Sequence, residues 1–368
     1  MSLHARLIER RDRGRPIRIG LIGAGKFGSM FLAQVRRTPG MQVLGIADLS
    51  PDRARAALRK VGWPEEAFAA RTFSEAHASG STCIVDDAEM LIAADGLDVV
   101  IEATGQPSAG IRHCLQAISH GREIVMVNVE ADVLAGPLLA RKAQAAGVIY
   151  SMAYGDQPAL IAEMVDWARS VGLDVICAGK GTKYLPSYHA STPDTVWNHY
   201  GFTPEQVAKG DFNARMFNSF LDGTKSAIEM AAVANATGLA APRDGLMFPA
   251  SGVDDLPGIL RPRADGGMLE EKGMVEVVSS LERDGKSVFR DLRWGVFAVF
   301  EASSPYVRQC FAEYGLKTDD SGHYAAMYKP YHLIGLELGF SVASIMLRKE
   351  ATGAPRGFEG DAIATAKR

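Results

Sequence analysis

A lysine beside a carboxylate is a pairing that can move protons at a carbonyl group. In the run Phe220–Glu229, Asp222 stands where a helix N-cap is expected, and Lys225 and Glu229 follow one turn apart on one face. An ammonium so placed stabilises an oxyanion or passes a proton, and a carboxylate partner holds it in place. The same spacing also suits an ordinary capped helix with a solvent-facing Lys–Glu pair. A second pair of lysines, Lys180 and Lys183, lies in Gly179–Tyr184 just past an expected strand, Leu173–Ala178. Flexible glycines there would let an anionic substrate approach, and solvated loop lysines are the plainer alternative. Ser187, His189, Asn198 and His199 add hydrogen-bonding groups nearby. The eight histidines contain no H-E-x-x-H pattern, and no G-x-S-x-G elbow is present, so neither a built-in zinc site nor a serine hydrolase has support. A weak magnesium site of carboxylates and substrate oxygens leaves no motif, and the metal question stays open.

A different chemistry is written near the start. Gly23-Ala24-Gly25-Lys26-Phe27-Gly28 directly follows the apolar run Ile17–Ile22 and directly opens a helix, Phe27 to Arg37, and Asp48 ends the next strand twenty positions beyond Gly28. This is the arrangement that binds a dinucleotide. The first glycine permits the tight turn, the second lets backbone approach the pyrophosphate, and the third lets helix and strand pack closely, while unpaired N–H groups at the helix start face the phosphates. Asp48 as acceptor for a ribose 2′-hydroxyl favours NAD. Ser50 and Arg53 would hold a 2′-phosphate if Asp48 turned away, so NAD and NADP both stand. Thr104 and Gly105 end the fourth strand, and Asn128 and Glu130 end the fifth, which places them at the crevice where the nicotinamide would lie. Asn128 is also an ordinary turn-forming residue.

The elements that must position these residues follow from periodicity. From Ile17 to Ser151 short apolar strands alternate with helical segments, which implies a doubly wound parallel sheet of Rossmann type. The expected strands are 17–22, 42–47, 82–85, 98–103, 123–128 and 148–151. After Tyr154 the pattern changes to a strand, a long polar and aromatic stretch from Gly179 to Phe220, a helix from Gly223 to Thr237, and two runs, Met274–Leu281 and Val288–Glu301, flanking Asp284-Gly285 as a hairpin. An α+β second domain results, suited to catalysis. The expected divisions are 1–152 for the dinucleotide domain, 153–330 for the substrate domain, 331–349 for a helix packing back on the core, with Leu333 to Arg348 as its body, and 350–368 for a tail or linker.

Composition narrows the function classes. The 368 residues are 47% hydrophobic and 23% charged with a formal net charge of −3, which fits a globular enzyme and argues against a broad nucleic-acid or membrane-surface footprint. No apolar run approaches the ~18 residues of a membrane span. Four scattered cysteines without a C-x-x-C pair fit a reducing cytoplasm. The arginine-rich opening, Leu3 to Arg15, reads as a short surface helix with one apolar edge.

Together Ile19–Gly28, Asn128–Asp132, Gly155–Pro158, Ala178–Tyr184 and Ser219–Glu229 resemble the homoserine-dehydrogenase-like oxidoreductases, and within them the bacterial proteins similar to 1-deoxy-D-xylulose 5-phosphate reductoisomerase. The resemblance spans nearly the whole chain. It implies an NADPH-dependent homodimer that isomerises 1-deoxy-D-xylulose 5-phosphate and reduces the product to 2-C-methyl-D-erythritol 4-phosphate, an isoprenoid precursor; a divalent metal such as magnesium is a further candidate cofactor. It further implies that Lys225, Asp222 and Glu229 face the substrate and that Lys180 and Lys183 hold its phosphate or hydroxyl groups. Val129-Glu130 stands where homoserine dehydrogenases carry a lysine after the asparagine, which weakens a simple homoserine assignment. Another small hydroxy or oxo acid, or a sugar acid, is the alternative substrate; a non-catalytic dinucleotide-binding sensor is the alternative role. Relatives of this branch often carry a further C-terminal SAF-like module, which would begin where this sequence stops at Arg368.

Overall fold

The computed structural model describes residues 2–209 and 212–360. The chain forms two compact units. The first is Met1–Leu160 with Leu333–Gly357, and the second is Ile161–His332 with Phe358–Arg368. The division falls inside the helix Gln157–Ser170, and the chain returns to the first unit after His332.

In the first unit β1 (Ile17–Ile22), β2 (Met41–Ala47), β3 (Cys83–Val85), β4 (Val99–Glu102), β5 (Glu123–Met126) and β6 (Tyr150–Met152) make a parallel sheet in the order β3-β2-β1-β4-β5-β6. This is a Rossmann sheet, and the order reverses between β1 and β4, which opens a crevice beyond their C-terminal ends. Both faces are covered, so the strands are apolar along their length rather than alternating. Ile17, Ile19 and Leu21 pack with Phe31 and Leu32 of the helix Lys26–Val35 on one face, and Leu44, Val100 and Ile124 pack with Leu91 and Cys114 on the other. The arginine-rich opening is a helix, Leu3–Asp12, that buries Leu3 and Leu7.

Two expectations change in the returning segment. The helix expected over Leu333 to Arg348 is helical only from Gly339, as an α-turn Gly339–Ala343 and a wider π-turn Ser344–Arg348. Gly335 is the reason, because it adopts φ 78° and a Cβ there would meet Met30 Cβ at 2.6 Å, so the chain turns sharply where it approaches the helix Lys26–Val35. The stretch from Glu350, expected to be a tail or linker, is built into the unit as far as Gly357. Met152 N–H donates to Gly353 O at 2.8 Å, and Thr352 joins Ser151 and Met152 through hydroxyl and backbone bonds. Such bonds come from backbone groups, which no side-chain pattern announces. Residues 361–368 of the expected tail lie outside the described residues.

The second unit holds β7 (Asp174–Thr182), β8 (Met274–Ser279), β9 (Val296–Glu301) and β10 (Tyr324–Lys329), in the order β10-β9-β7-β8. The expected hairpin between 274–281 and 288–301 is corrected here. A tight turn does form, with Gly285 at φ 87° and Glu282 N–H donating to Lys286 O at 2.8 Å. The pairing extends only to an antiparallel bridge between Leu281 and Ser287 and to Val288 N–H donating to Ser280 O at 3.0 Å; β8 and β9 themselves do not pair, because β7 inserts between them, parallel to β8 and antiparallel to β9. Local turn chemistry fixes a turn but not which strand becomes the neighbour. The core of this unit gathers Ile176, Cys177, Val278, Phe297 and Val299 from the sheet with Leu256 and Leu260 above it.

Candidate active site

Strand β7 continues through Gly179-Lys180-Gly181-Thr182, four residues further than the sequence suggests. The two glycines are not there for flexibility. A Cβ on Gly179 would stand 1.7 Å from Glu276 O, and one on Gly181 would stand 1.8 Å from Leu292 O. Glycine lets neighbouring backbone close over the strand, and that closure buries Lys180 between them, at 6% exposure. A lysine that reads as a loop residue is thereby placed in a sheet interior, where its ammonium must find a carboxylate.

That carboxylate is Glu229, itself buried, on the helix Thr224–Thr237. Lys180 Nζ donates to Glu229 Oε2, and Lys225 Nζ lies 3.8 Å from Glu229 Oε1 on the same helix face. The i,i+4 pair expected from spacing is present, and the fold adds a second ammonium from 49 residues earlier in the chain. Burial pushes Glu229 up, but Lys180 and then Lys225, with His332 behind them, outweigh it and hold the carboxyl below its ordinary value. One ionised carboxylate thus sits between two ammonium groups in a largely dehydrated place. Such a group attracts an anionic substrate and can hand a proton to an alkoxide.

Asp222 sits one step from its expected position. The N-cap of the helix is Gly223, in the left-handed conformation at φ 83°, and Asp222 ends the preceding helix Ala214–Leu221. Its carboxylate still serves the new helix, accepting Thr224 N–H at 2.7 Å and Asn218 Nδ2–H at 3.0 Å, so it joins the two helices at their corner. His189 donates from Nδ1 to Asp222 O at 2.9 Å. Lys183 does not join the cluster. Its ammonium donates to His199 O at 2.8 Å and lies over the rings of Tyr188 and Tyr200. Burial, and then Arg293, hold it below its ordinary value. It anchors the aromatic stretch, whose described residues fold as short helices around Trp197, Tyr200 and Phe217.

In the first unit the glycine turn fits a dinucleotide on its own geometry. Gly23 takes φ 95°, and a Cβ there would meet Ala103 O at 2.7 Å; a Cβ on Gly28 would meet Gly23 O at 2.4 Å. Gly25, at the N-cap of the helix Lys26–Val35, faces open space with no side-chain cap. The turn is therefore locked at its outer glycines and open at its middle one, where a phosphate can approach the N–H groups. Ala24, Lys26 and Phe27 complete the turn, and Ala24 N–H donates to Asp48 Oδ2 at 2.9 Å.

Asp48 ends β2 as expected, but its side chain is only 1% exposed. Oδ1 accepts from Ser50 N–H at 2.9 Å and from Arg53 Nη2 at 2.6 Å, so the carboxylate is engaged inside the protein while most of Arg53 remains in solvent. At the end of β4, Thr104 hydroxyl donates to Glu102 Oε1 at 2.5 Å, His113 Nδ1 lies 3.3 Å from the same oxygen, and Gly105 turns at φ 66°. Asn128 caps the helix Val129–Ala145 by accepting Ala131 N–H at 3.1 Å, and Glu130 lies in that helix's first turn.

Sequence reading passed over several buried groups. Asp132 accepts the Tyr150 hydroxyl at 2.6 Å and is pushed up to about 7 by burial. Glu276 on β8 accepts backbone N–H groups of Val277 at 2.8 Å, Met247 at 3.1 Å and Phe248 at 3.4 Å, yet burial still pushes it up to about 7. These bonds hold Phe248 at φ 51° with its ring stacked 4.1 Å from Tyr184, which His189 meets edge-on. A carboxylate inside an apolar strand run, Met274–Ser279, is the one signal that could have found Glu276. Among the described residues no group of three or more histidine, cysteine, aspartate or glutamate side chains is arranged to hold a metal, and no helix is long and apolar enough to cross a membrane.

Two family models match the chain. Residues 155–338 match the family model described as oxidoreductase DRL, catalytic domain, and residues 23–152 match that of the homoserine dehydrogenase NAD binding domain. No curated protein sequence matches the chain. Among solved structures, a probable dehydrogenase from Thermotoga maritima is 13% identical, with 95% of this chain and 93% of that one covered at a TM-score of 0.46. An oxidoreductase from Agrobacterium radiobacter, in complex with NAD+, L-tartaric acid and magnesium, is 12% identical, with coverage of 95% and 94% and a TM-score of 0.49.

Proposed function

Since the chain belongs to the oxidoreductase DRL family, we propose that its first unit binds NADP and that its second unit reduces the carbonyl of a small anionic substrate at Lys180, Glu229 and Lys225. The observation that carries this reading is the buried carboxylate shared by two ammonium groups. A purely structural ion pair needs one lysine. Two lysines on one carboxylate bring two N–H donors to one place, and donors of that kind can stabilise an oxyanion.

The roles follow from the geometry. Glu229 holds Lys180 and Lys225 in place. Lys225, at 17% side-chain exposure against 8% for Lys180, is the ammonium that reaches substrate and gives its proton to the alkoxide. Lys180 supports the same oxygen from the sheet side. Asp222 and His189 fix the helix start that carries Lys225. The N–H groups at Gly25 hold the dinucleotide's phosphates, and Thr104, Gly105, Asn128 and Glu130 border its nicotinamide end. When bound, the dinucleotide supplies the hydride. Arg53 spends Nη2 on Asp48 but keeps most of its guanidinium in solvent, so with Ser50 it can also meet a 2′-phosphate, which favours NADP over NAD.

The substrate to test first is 1-deoxy-D-xylulose 5-phosphate, on the strength of the motifs around Lys180 and Lys225. The alternative is a small hydroxy or oxo acid, which the homoserine-dehydrogenase type of the first unit favours. Oxidation of NADPH, followed at 340 nm against both substrate classes with and without magnesium, separates them. Turnover of the phosphosugar supports the first; none in either condition removes it. An activity that survives unchanged in Lys225→Ala would remove the cluster as the reacting site, and binding of cofactor without any turnover would favour a sensor.

A further inference from the structure

The second unit contains a cavity of about 360 Å³ at the far end of its sheet from the lysine cluster. Strands β7 and β9 pair from Asp174 and Glu301 at one end to Lys180 and Val296 at the other. Six residues at about 3.3 Å each put Lys180 about 20 Å along the strand from this end. Tyr324 pairs with Glu301 at the start of β10 and lines the cavity, so the two places do not overlap.

The charges around the cavity are mostly matched, and the two that are not define a ligand. Arg261 is bonded to Asp319, which is fully buried and also accepts N–H groups of Ser321, His323 and Tyr324. Lys272 Nζ lies 2.5 Å from Glu301 Oε2. The Arg308 side chain, on the exposed face of the helix Pro305–Glu313, has neither ion pair nor hydrogen bond among the described residues. Its stem lies along Gly322, where a Cβ would stand 3.4 Å from Arg308 Cγ. Asp265 has no ion pair among the described residues. Its Oδ2 accepts the Tyr324 hydroxyl at 2.7 Å, and Oδ1 is left as an acceptor. Arg261 Nε is buried without a partner as well. An unmatched guanidinium, an unmatched carboxylate and an unused buried donor line one cavity whose walls are otherwise fixed by ion pairs.

We propose that this cavity is a second ligand site, which binds a small zwitterion with its anionic head on Arg308 and its amine on Asp265. A charge-assisted bond at each end gives it selectivity for molecules carrying both charges, and a simple anion or a simple amine satisfies only one. The head is a carboxylate or a phosphate, since a guanidinium accepts either.

Isothermal titration of the full chain with β-alanine and with O-phosphoethanolamine distinguishes the two heads, with inorganic phosphate and ethanolamine as single-charge controls. One zwitterion is expected to bind at least about tenfold tighter than both controls. Arg308→Ala and Asp265→Asn are each expected to weaken it about tenfold or more, and Asp265→Asn retains an acceptor for Tyr324. Lys225→Ala is expected to leave the affinity as it is. The proposal is overturned if neither zwitterion binds up to about 10 mM, if phosphate binds as well as the zwitterion, if both cavity variants bind normally, or if Lys225→Ala abolishes binding.

Discussion

Glu229 and Glu276 are both buried carboxyl groups of the second unit, one on the helix Thr224–Thr237 and one on β8, and their surroundings send them in opposite directions. Glu229 has two ammonium groups and is held below its ordinary value in spite of burial. Glu276 has only backbone N–H groups, three of them, and is pushed up to about 7. Burial raises both, and what decides the outcome is whether a whole opposing charge arrives with it. A carboxyl held ionised by lysines is suited to reaction chemistry. One held by N–H groups is suited to fixing a loop, here the turn that sets Phe248 against Tyr184.

The comparison breaks most directly at Lys180. Lys180→Met leaves Glu229 with Lys225 alone at 3.8 Å, so we expect turnover to fall by about a thousandfold and stability to fall by about 3–5 kcal/mol, read by steady-state kinetics and denaturant unfolding. If the variant were as active as the parent, Glu229 would be no more than a structural group.

The pH dependence of stability is the next test, because the two groups carry opposite signs. Glu276 is raised in the folded state, so the native protein keeps a proton that the unfolded chain releases. Stability should therefore decline as pH rises from about 4.5 to about 7, by up to about 3 kcal/mol. Asp132, also raised to about 7, adds a decline of the same sign. Glu229 is lowered, so its contribution is present above its unfolded pKa and is lost as pH falls through the folded one. Glu276→Gln should flatten the decline between pH 5 and pH 7 while leaving the acid loss in place, which urea unfolding across that range would show. An unchanged slope in Glu276→Gln would mean that the carboxyl is ionised throughout.

A smaller effect is expected in the first unit, where Arg53 is mostly solvent-exposed. Arg53→Ala should raise the KM for NADPH about tenfold and leave that for NADH nearly as it was; equal loss with both cofactors would point instead to Asp48 losing its support. Smaller still is Gly25→Ala. Its Cβ meets nothing in the protein, so thermal stability should stay within about 0.5 kcal/mol while cofactor affinity falls, whereas Gly28→Ala, which would meet Gly23 O at 2.4 Å, should destabilise the fold itself.

What the sequence by itself determined is local. The glycine turn, its strand and helix, and the end of β2 at Asp48 are read from consecutive residues, because a dinucleotide-binding turn is made by backbone a few positions apart. The Lys225–Glu229 pair is legible for the same reason, as one helical turn. Only tertiary structure decided that Gly179–Thr182 belongs to β7, that Lys180 meets Glu229, that Lys183 does not, and that β7 separates the two strands beside Asp284-Gly285. Each of these depends on which distant backbone closes over a residue. Two glycines that read as flexibility are in fact the places where Glu276 and Leu292 carbonyls approach too closely for any side chain, and such an approach is a property of the partner strand, which the local sequence does not contain.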